Sequence, residues 1–279
     1  MNKRHPKYGY VISTEENTQK LLNSGKKFED FSKEDWEIYS DLPMNEEFIE
    51  KYQDKICWLK IGKKKHKISK KIIKNNIQRI NWNWISSYQK LSEQFIEKFQ
   101  DEVDWYSISI NQKLSEKFIE KFQDKVHWNW ISKYQKLSEQ FIEKFQDKVH
   151  WDKISQNQKL SEQFIEKFQY KVYWDRISKY QKLSEQFIEK FRIEVYWTNI
   201  IQYQELSEEF IYKHIYVMKF RFMDDYLNYN KKIRFSSKFL TFLYENEYWL
   251  FKIISKKPGF KKISKLIEKQ IPKLFIEID

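Results

Sequence analysis

Apolar residues recur along this chain at spacings that read as short helices. In the segment Leu91-Ser-Glu-Gln-Phe-Ile-Glu-Lys-Phe-Gln-Asp-Glu-Val-Asp-Trp105, an advance of about 100° per residue puts Phe95, Ile96, Phe99 and Val103 in one arc about 100° wide. That is the width of a core-facing helical stripe. Trp105 and Ile108 fall off the stripe, so the helix must break between Val103 and Trp105. A second short helix, about Trp105 to Gln112, then presents Trp105, Ile108 and Gln112 at i, i+3 and i+7. Ser92 is placed to cap the first helix, and Glu93 and Glu97 lie toward the positive end of its dipole.

The pattern repeats. Copies begin at Leu91, Leu114, Leu137, Leu160 and Leu183, each 23 residues after the last, and weaker copies begin at Met44, Ile68, Leu206 and Phe235. Tryptophan marks one slot at Trp58, Trp82, Trp105, Trp128, Trp151, Trp174 and Trp197. Phe220 takes the slot next, Trp249 takes it after a six-residue expansion, and Trp36 reads as a partial first repeat. A continuous coiled coil needs a sustained 3.5-residue seam, which a 23-residue period scatters. Strands need period two, which Phe-Ile-Glu-Lys-Phe lacks. The expected fold is therefore all-α: an α/α solenoid of about nine short helical-hairpin repeats with degenerate end caps, each repeat burying its apolar face on its neighbours.

Three regions follow. Residues 1–43 are weakly patterned and read as an N-terminal cap or partly ordered arm. Residues 44–255 read as the solenoid, most regular over 91–205. Residues 256–279 read as a basic C-terminal cap. No glycine lies between Gly62 and Gly259 and no proline between Pro43 and Pro258. The turns must therefore be built from Asp, Asn, Gln, Lys and Ser.

Composition narrows the function. The chain has no alanine and only four glycines and four prolines, so large side chains must fill the interior. No stretch approaches the roughly 18 apolar residues of a membrane span, and the polar N-terminus does not read as a signal peptide. The lone Cys57 excludes an internal disulfide and fits a reducing intracellular compartment. Such a setting is the cytoplasm first, with the nucleus as a second reducing compartment. The formal charge is +12, unevenly placed. Residues 60–80 hold nine Lys or Arg and no acid, and residues 219–273 hold fourteen against five acids. The rest of the chain is slightly acidic.

The basic segment offers Lys60, Lys63, Lys64, Lys65, Lys67, Lys70, Lys71, Lys74 and Arg79 as a candidate anion patch. The same lysines also fit the solvent face of a decayed repeat with Ile68, Ile72, Ile73 and Ile77 inside. The tryptophan column reads as core rather than as a base-stacking platform, because it recurs at a fixed slot. His127 and His150 share a slot in adjacent repeats, too far apart to ligate one metal, and Cys57 falls in the same column as a structural thiol. Neither a nucleophile with its base, nor a glycine-rich phosphate loop, nor a zinc motif is present. No catalytic residue, cofactor or metal is therefore assigned, and the expectation is a non-enzyme.

Comparison between repeats locates the remaining candidate. Core slots hardly change, and neither does the glutamine at 89, 112, 135, 158, 181 and 204, expected to bond backbone in the turn. Variation concentrates around the second helix. Before the tryptophan stand Asp104, His127, His150, Tyr173 and Tyr196. After it stand Tyr106, Asn129, Trp130, Asp152, Lys153, Asp175 and Arg176. These positions form the candidate partner surface, since solenoids bind along a continuous ridge or groove; neutral drift at exposed positions would leave the same pattern.

The repeat Leu-Ser-Glu-Gln-Phe-Ile-Glu-Lys-Phe-Gln-Asp-Lys-Val-His-Trp, with Ile-Ser-Lys-Tyr-Gln-Lys in its second half, resembles repeats of giant DNA virus proteins of the mimivirus kind. The resemblance covers roughly residues 44–255, and the weight of Lys, Ile, Phe, Tyr and Asn, whose codons are A+T-rich, agrees with it. The copy at 68–90 and the stretched repeat around 220–249 depart from the pattern. The resemblance implies an origin and a repeat architecture and carries over no functional residue. The expected role is a monomeric scaffold for protein–protein interaction. The alternative is sequence-independent nucleic-acid binding through segments 60–80 and 219–273, which would be steeply salt-dependent.

Overall fold

The computed structural model describes residues 3–6, 10–63, 66, 68–214, 236–246, 251, 252 and 265. The chain divides into two compact bodies, 1–149 and 150–279. Seventeen α-helices occur among the described residues, and the only extended pairing is an isolated bridge between Arg4 and Val11.

In the first body, α1 (Glu15–Leu22) and α2 (Lys33–Tyr39) precede the repeats. Then follow α3 (Glu46–Lys51), α4 (Lys70–Asn75), α5 (Trp82–Tyr88), α6 (Glu93–Lys98), α7 (Trp105–Asn111), α8 (Glu116–Lys121), α9 (Trp128–Tyr134) and α10 (Glu139–Lys144). The second body holds α11 (Trp151–Asn157), α12 (Glu162–Lys167), α13 (Trp174–Tyr180), α14 (Glu185–Lys190), α15 (Trp197–Tyr203), α16 (Glu208–Lys213) and α17 (Ser237–Asn246). From α4 to α16, helices of six and seven residues alternate. Second helices of successive repeats pack together: α5 on α7 and α7 on α9 in the first body, α11 on α13 and α13 on α15 in the second. This is the expected α-solenoid of helical hairpins.

Local chemistry sets the boundaries. Ser92 Oγ accepts from Phe95 N–H and starts α6. The helix stops at Lys98, earlier than the apolar stripe suggests, because Phe99 leaves helical geometry at φ −113°, ψ 33°. Val103 N–H still donates to Phe99 O at 3.0 Å, so Phe99 and Val103 complete the stripe from a single non-helical turn. No described non-glycine residue has positive φ. The caps at Phe99 (φ −113°), Asp104 (φ −83°, ψ 101°) and Gln112 (φ −96°, ψ 147°) all use regions open to any L-residue. That is why the described repeats can turn without glycine.

The core is a column of Leu91, Phe95, Ile96, Phe99, Val103 and Ile108, recurring in each regular repeat, all buried. The tryptophans differ from expectation: Trp58 is buried, but Trp82, Trp105, Trp128, Trp151, Trp174 and Trp197 are half-buried. The indoles of Trp82, Trp105, Trp128, Trp151 and Trp174 each lie along the flank of a phenylalanine pair, as Trp105 does 5.1 Å from Phe122, and Trp197 lies along Phe210 and His214. The indole N–H donates to a carbonyl five residues back, Trp105 to Gln100 at 2.8 Å. The outer face takes a lysine: Lys125 Nζ stands 6.0 Å from the Trp105 ring. An indole has a polar N–H that favours the rim of a core over its centre.

Polar side chains join the repeats. Gln112 Nε2 donates to Ser86 O and Gln89 O, each at 2.8 Å, and its Oε1 accepts from Leu91 N–H at 3.0 Å. Gln89 and Gln135 repeat the pattern in the first body, Gln181 and Gln204 in the second. The glutamine therefore does bond turn backbone, and the carbonyls it donates to belong to the preceding repeat. His66 stands in the same slot and bonds Leu42 O at 2.8 Å. Fully buried Ser86 and Ser109 accept from Asp104 and His127 N–H. Glu93 accepts Ser115 N–H, and Lys121 pairs with Glu97. Ser236 makes to Glu208 the bond that Ser207 makes to Glu185, with six more residues of chain between, so the repeat resumes in register. Phe220 and Trp249 lie outside the described residues.

Candidate functional site

Seven of the eleven exposed large apolar side chains among the described residues are tyrosines of the second helices or their N-caps: Tyr88, Tyr106, Tyr134, Tyr173, Tyr180, Tyr196 and Tyr203. Three of them, Tyr106, Tyr173 and Tyr196, stand at variable slots named from the sequence; Tyr88, Tyr134, Tyr180 and Tyr203 stand six residues after a repeat tryptophan, and Asp104, Asn129, Trp130, Asp152, Lys153, Asp175 and Arg176 are half-buried.

In the first body the ridge forms a cluster. Tyr106 meets His127 edge-on at 5.5 Å and Trp130 at 5.6 Å, and Trp130 stacks on Tyr134 at 5.8 Å. Lys133 Nζ lies 4.8 Å from the Tyr134 ring and 5.8 Å from Trp130. Asn129 is half-buried beside them. Asp104 instead has a local task, accepting Ser107 N–H at 3.0 Å to cap α7.

In the second body, Asp152 pairs with Lys153 at 2.7 Å and Asp175 with Arg176 at 3.3 Å. Partial burial pushes the Asp152 carboxyl up, but the bond and charge of Lys153 outweigh it and leave the group below the usual carboxylate range. His150, Tyr173 and Tyr196 are exposed at N-cap positions. Lys179 Nζ sits 5.1 Å from the Tyr180 ring and 4.9 Å from Tyr203. Hydrogen bonding to the Tyr203 and Tyr180 hydroxyls raises its pKa.

The N-cap slot holds a telling exchange. Asn81 and Asp104 cap α5 and α7 with their side chains, whereas His127, His150, Tyr173 and Tyr196 make no side-chain cap bond. A missing cap costs about 1 kcal/mol. Four repeats forgo it in favour of an exposed ring.

The candidate anion patch does not assemble as expected. Lys60 is a correction: its side chain is fully buried, with Nζ 2.6 Å from Glu37 O, 2.9 Å from Ser13 Oγ and 2.9 Å from Asp41 Oδ2. A shielded ammonium cannot grip a phosphate. Lys63 binds the other oxygen of Asp41 and lies 4.3 Å from the Trp84 ring. Lys71 pairs with Glu50 at 3.0 Å, Arg79 approaches Asp54 at 3.7 Å, and Lys70 reaches Ser92 Oγ at 3.1 Å. Lys74 is exposed. Lys64, Lys65 and Lys67 lie outside the described residues, as does most of segment 219–273.

Sequence reasoning missed two groups. The Lys60–Asp41–Glu37–Ser13 cluster joins positions up to 47 residues apart, and no local pattern announces it. The sixth residue after each repeat tryptophan reads Tyr88, Asn111, Tyr134, Asn157, Tyr180, Tyr203; that variation was visible and marks the ridge's other edge. Cys57 is half-buried, and burial pushes its thiol up, as suits a structural residue. No described helix is long and apolar enough to cross a membrane. No group of three or more His, Cys, Asp or Glu side chains among the described residues is arranged to hold a metal. No protein-family model, curated protein or solved structure matches the chain.

Proposed function

We propose that this chain is a non-enzymatic scaffold that binds another protein along the outer edge of its second helices. The observation that carries the reading is the N-cap slot. There four repeats forgo a cap worth about 1 kcal/mol each and present His127, His150, Tyr173 and Tyr196 instead. Sites that break a local stability rule are where function is expected. Tyrosine and tryptophan also supply contact area at low entropic cost and dominate interface energetics. The packed cluster of Tyr106, His127, Trp130 and Tyr134 is the densest such surface.

Binding of nucleic acid through residues 60–79 draws less support. Lys60, Lys63, Lys71 and Arg79 each already face a carboxylate of this chain. The decisive experiment is affinity capture with the tagged full chain, with and without nuclease, comparing wild type with a Tyr106→Ala/Trp130→Ala variant. The scaffold reading expects a protein that survives nuclease and is lost about tenfold or more in the variant. Capture that disappears with nuclease, or that the variant leaves intact, would refute it.

A further inference from the structure

The ridge in the second body contains a groove of about 280 Å³, lined among others by Lys179, Tyr180, Lys182, Leu183, Tyr203 and Glu205. We infer that this groove accepts carboxylate side chains of an acidic segment of a partner protein. The inference rests on the scaffold reading and assigns the partner's chemistry.

Three observations lead to it. First, Lys179 is held in place: its ammonium stands within 5.1 Å of one tyrosine ring and 4.9 Å of another, so a cation is pre-positioned at the groove. Second, the groove has cations to spare. Lys190 and Lys213, on the first helices, pair with Glu166 and Glu189. Lys182 is exposed and has no carboxylate partner among the described residues. Glu205 is the single acid of the lining and takes the slot that a lysine holds one repeat earlier. Third, the lysine-tyrosine-glutamine-lysine sequence of the groove's near wall occurs twice, although the slot of Tyr203 is Asn157 in the earlier case. Lys133-Tyr134-Gln135-Lys136 in the first body matches Lys179-Tyr180-Gln181-Lys182 in the second, and Lys133 likewise lies on the Tyr134 ring.

A carboxylate entering the groove can accept from the ammonium groups of Lys179 and Lys182 and from the Tyr203 hydroxyl, giving charge-assisted bonds of the stronger kind. Stacked nucleobases fit less well. The faces of Tyr180 and Tyr203 are engaged by Lys179, and in the first body Trp130 and Tyr134 stack on each other. Base platforms need an open ring face.

The test titrates fluorescein-labelled oligo-glutamate and, separately, labelled oligo(dT) of equal charge into the full chain at low salt, read by fluorescence anisotropy. The variant is Lys179→Gln/Lys182→Gln, with Lys190→Gln as control, and far-UV circular dichroism verifies that both remain folded. Oligo-glutamate is expected to bind, to lose about tenfold or more in the double variant, and to change less than about twofold in the control. Tyr203→Phe should weaken it by a smaller factor. Three results would overturn the inference: no loss in the double variant, tighter binding of oligo(dT) than of oligo-glutamate, or displacement of the peptide by an equal concentration of inorganic phosphate. If the lysine variant fails while capture still depends on Tyr106 and Trp130, the scaffold reading survives with a partner of different chemistry.

Discussion

Gln112 Nε2 lies 2.8 Å from the carbonyl oxygen of Gln89, its counterpart one repeat earlier, and Gln89 donates in turn to His66 O at 2.7 Å. Each rung closes three backbone groups inside the protein, where an unmet hydrogen bond costs about 1–3 kcal/mol. Neighbouring repeats are thus fixed in register by hydrogen bonds as well as by apolar burial.

Gln112→Leu keeps the volume and abolishes the rung. Leu91 N–H, Ser86 O and Gln89 O all lose their partner. The expected loss is about 3 kcal/mol, allowing for partial rehydration. Urea unfolding with hydrogen exchange checks it. Exchange should accelerate first at Leu91, since in a repeat array a weakened interface acts on its neighbours. A variant as stable as wild type would show that packing alone sets the register.

Tyr173→Asp should do the opposite. An aspartate there can cap α13 as Asp104 caps α7, adding about 1 kcal/mol, seen as a raised urea midpoint. The exposed ring goes with it, so capture of the partner should weaken. Stability gained at the expense of binding is the signature of a slot kept for its surface. Improved stability with undiminished capture would mark Tyr173 as drift.

Much of this was readable from residues alone, for a definite reason. Periodicity reports burial, so Phe95, Ile96, Phe99, Val103 and Ile108 disclosed the fold. Ser92 and the second helix from Trp105 followed from cap chemistry and phase. The half-buried indoles were misjudged as core because a fixed slot says that a residue is needed without saying how deep it lies. The end of α6 was placed late because Phe99 and Val103 stay in phase with the stripe after the helix has stopped. Lys60 was misjudged because charge was counted without its partners. The Asp41 carboxylate and the Glu37 backbone carbonyl come from another segment, and only folding brings them to it.

Gly62 and Gly25 provide a paired test of backbone constraint. Both have positive φ, +103° and +66°. A β-carbon at Gly25 meets nothing within 4 Å, whereas one at Gly62 would fall 2.6 Å from Ile85 Cδ1 in the buried core. Gly25→Ala should therefore cost about 1 kcal/mol, the left-handed penalty alone. Gly62→Ala adds overpacking of about 1–3 kcal/mol to that penalty. It should also disturb the Gln89 bond to Gly62 O. Thermal melts that rank Gly25→Ala below Gly62→Ala would contradict the geometry.

Asp41 makes the fold sensitive to acid. Burial pushes its carboxyl up, but bonds from Lys63, Lys60 and Ser13 outweigh that and hold it below the usual carboxylate range. A folded pKa below the unfolded one means that the unfolded chain binds the proton more readily. The stabilisation is therefore complete above the ordinary carboxylate range and is lost as pH falls through it toward the depressed value. Burial drives Lys60 the other way from an exposed lysine, lowering its pKa against the raising influence of Asp41. Stability then rises with pH on the alkaline side, between the lowered and the ordinary lysine value. Asp41→Asn leaves the Lys60 ammonium buried without its carboxylate, at an expected cost of about 3–5 kcal/mol near neutral pH. Adding Lys60→Met removes the stranded charge and should recover more than half of that loss, because a buried pair replaced by apolar volume is often neutral. The urea midpoint measured from neutral to acid pH should fall for wild type and stay flatter for the double variant. Equal slopes would place the acid-sensitive group elsewhere.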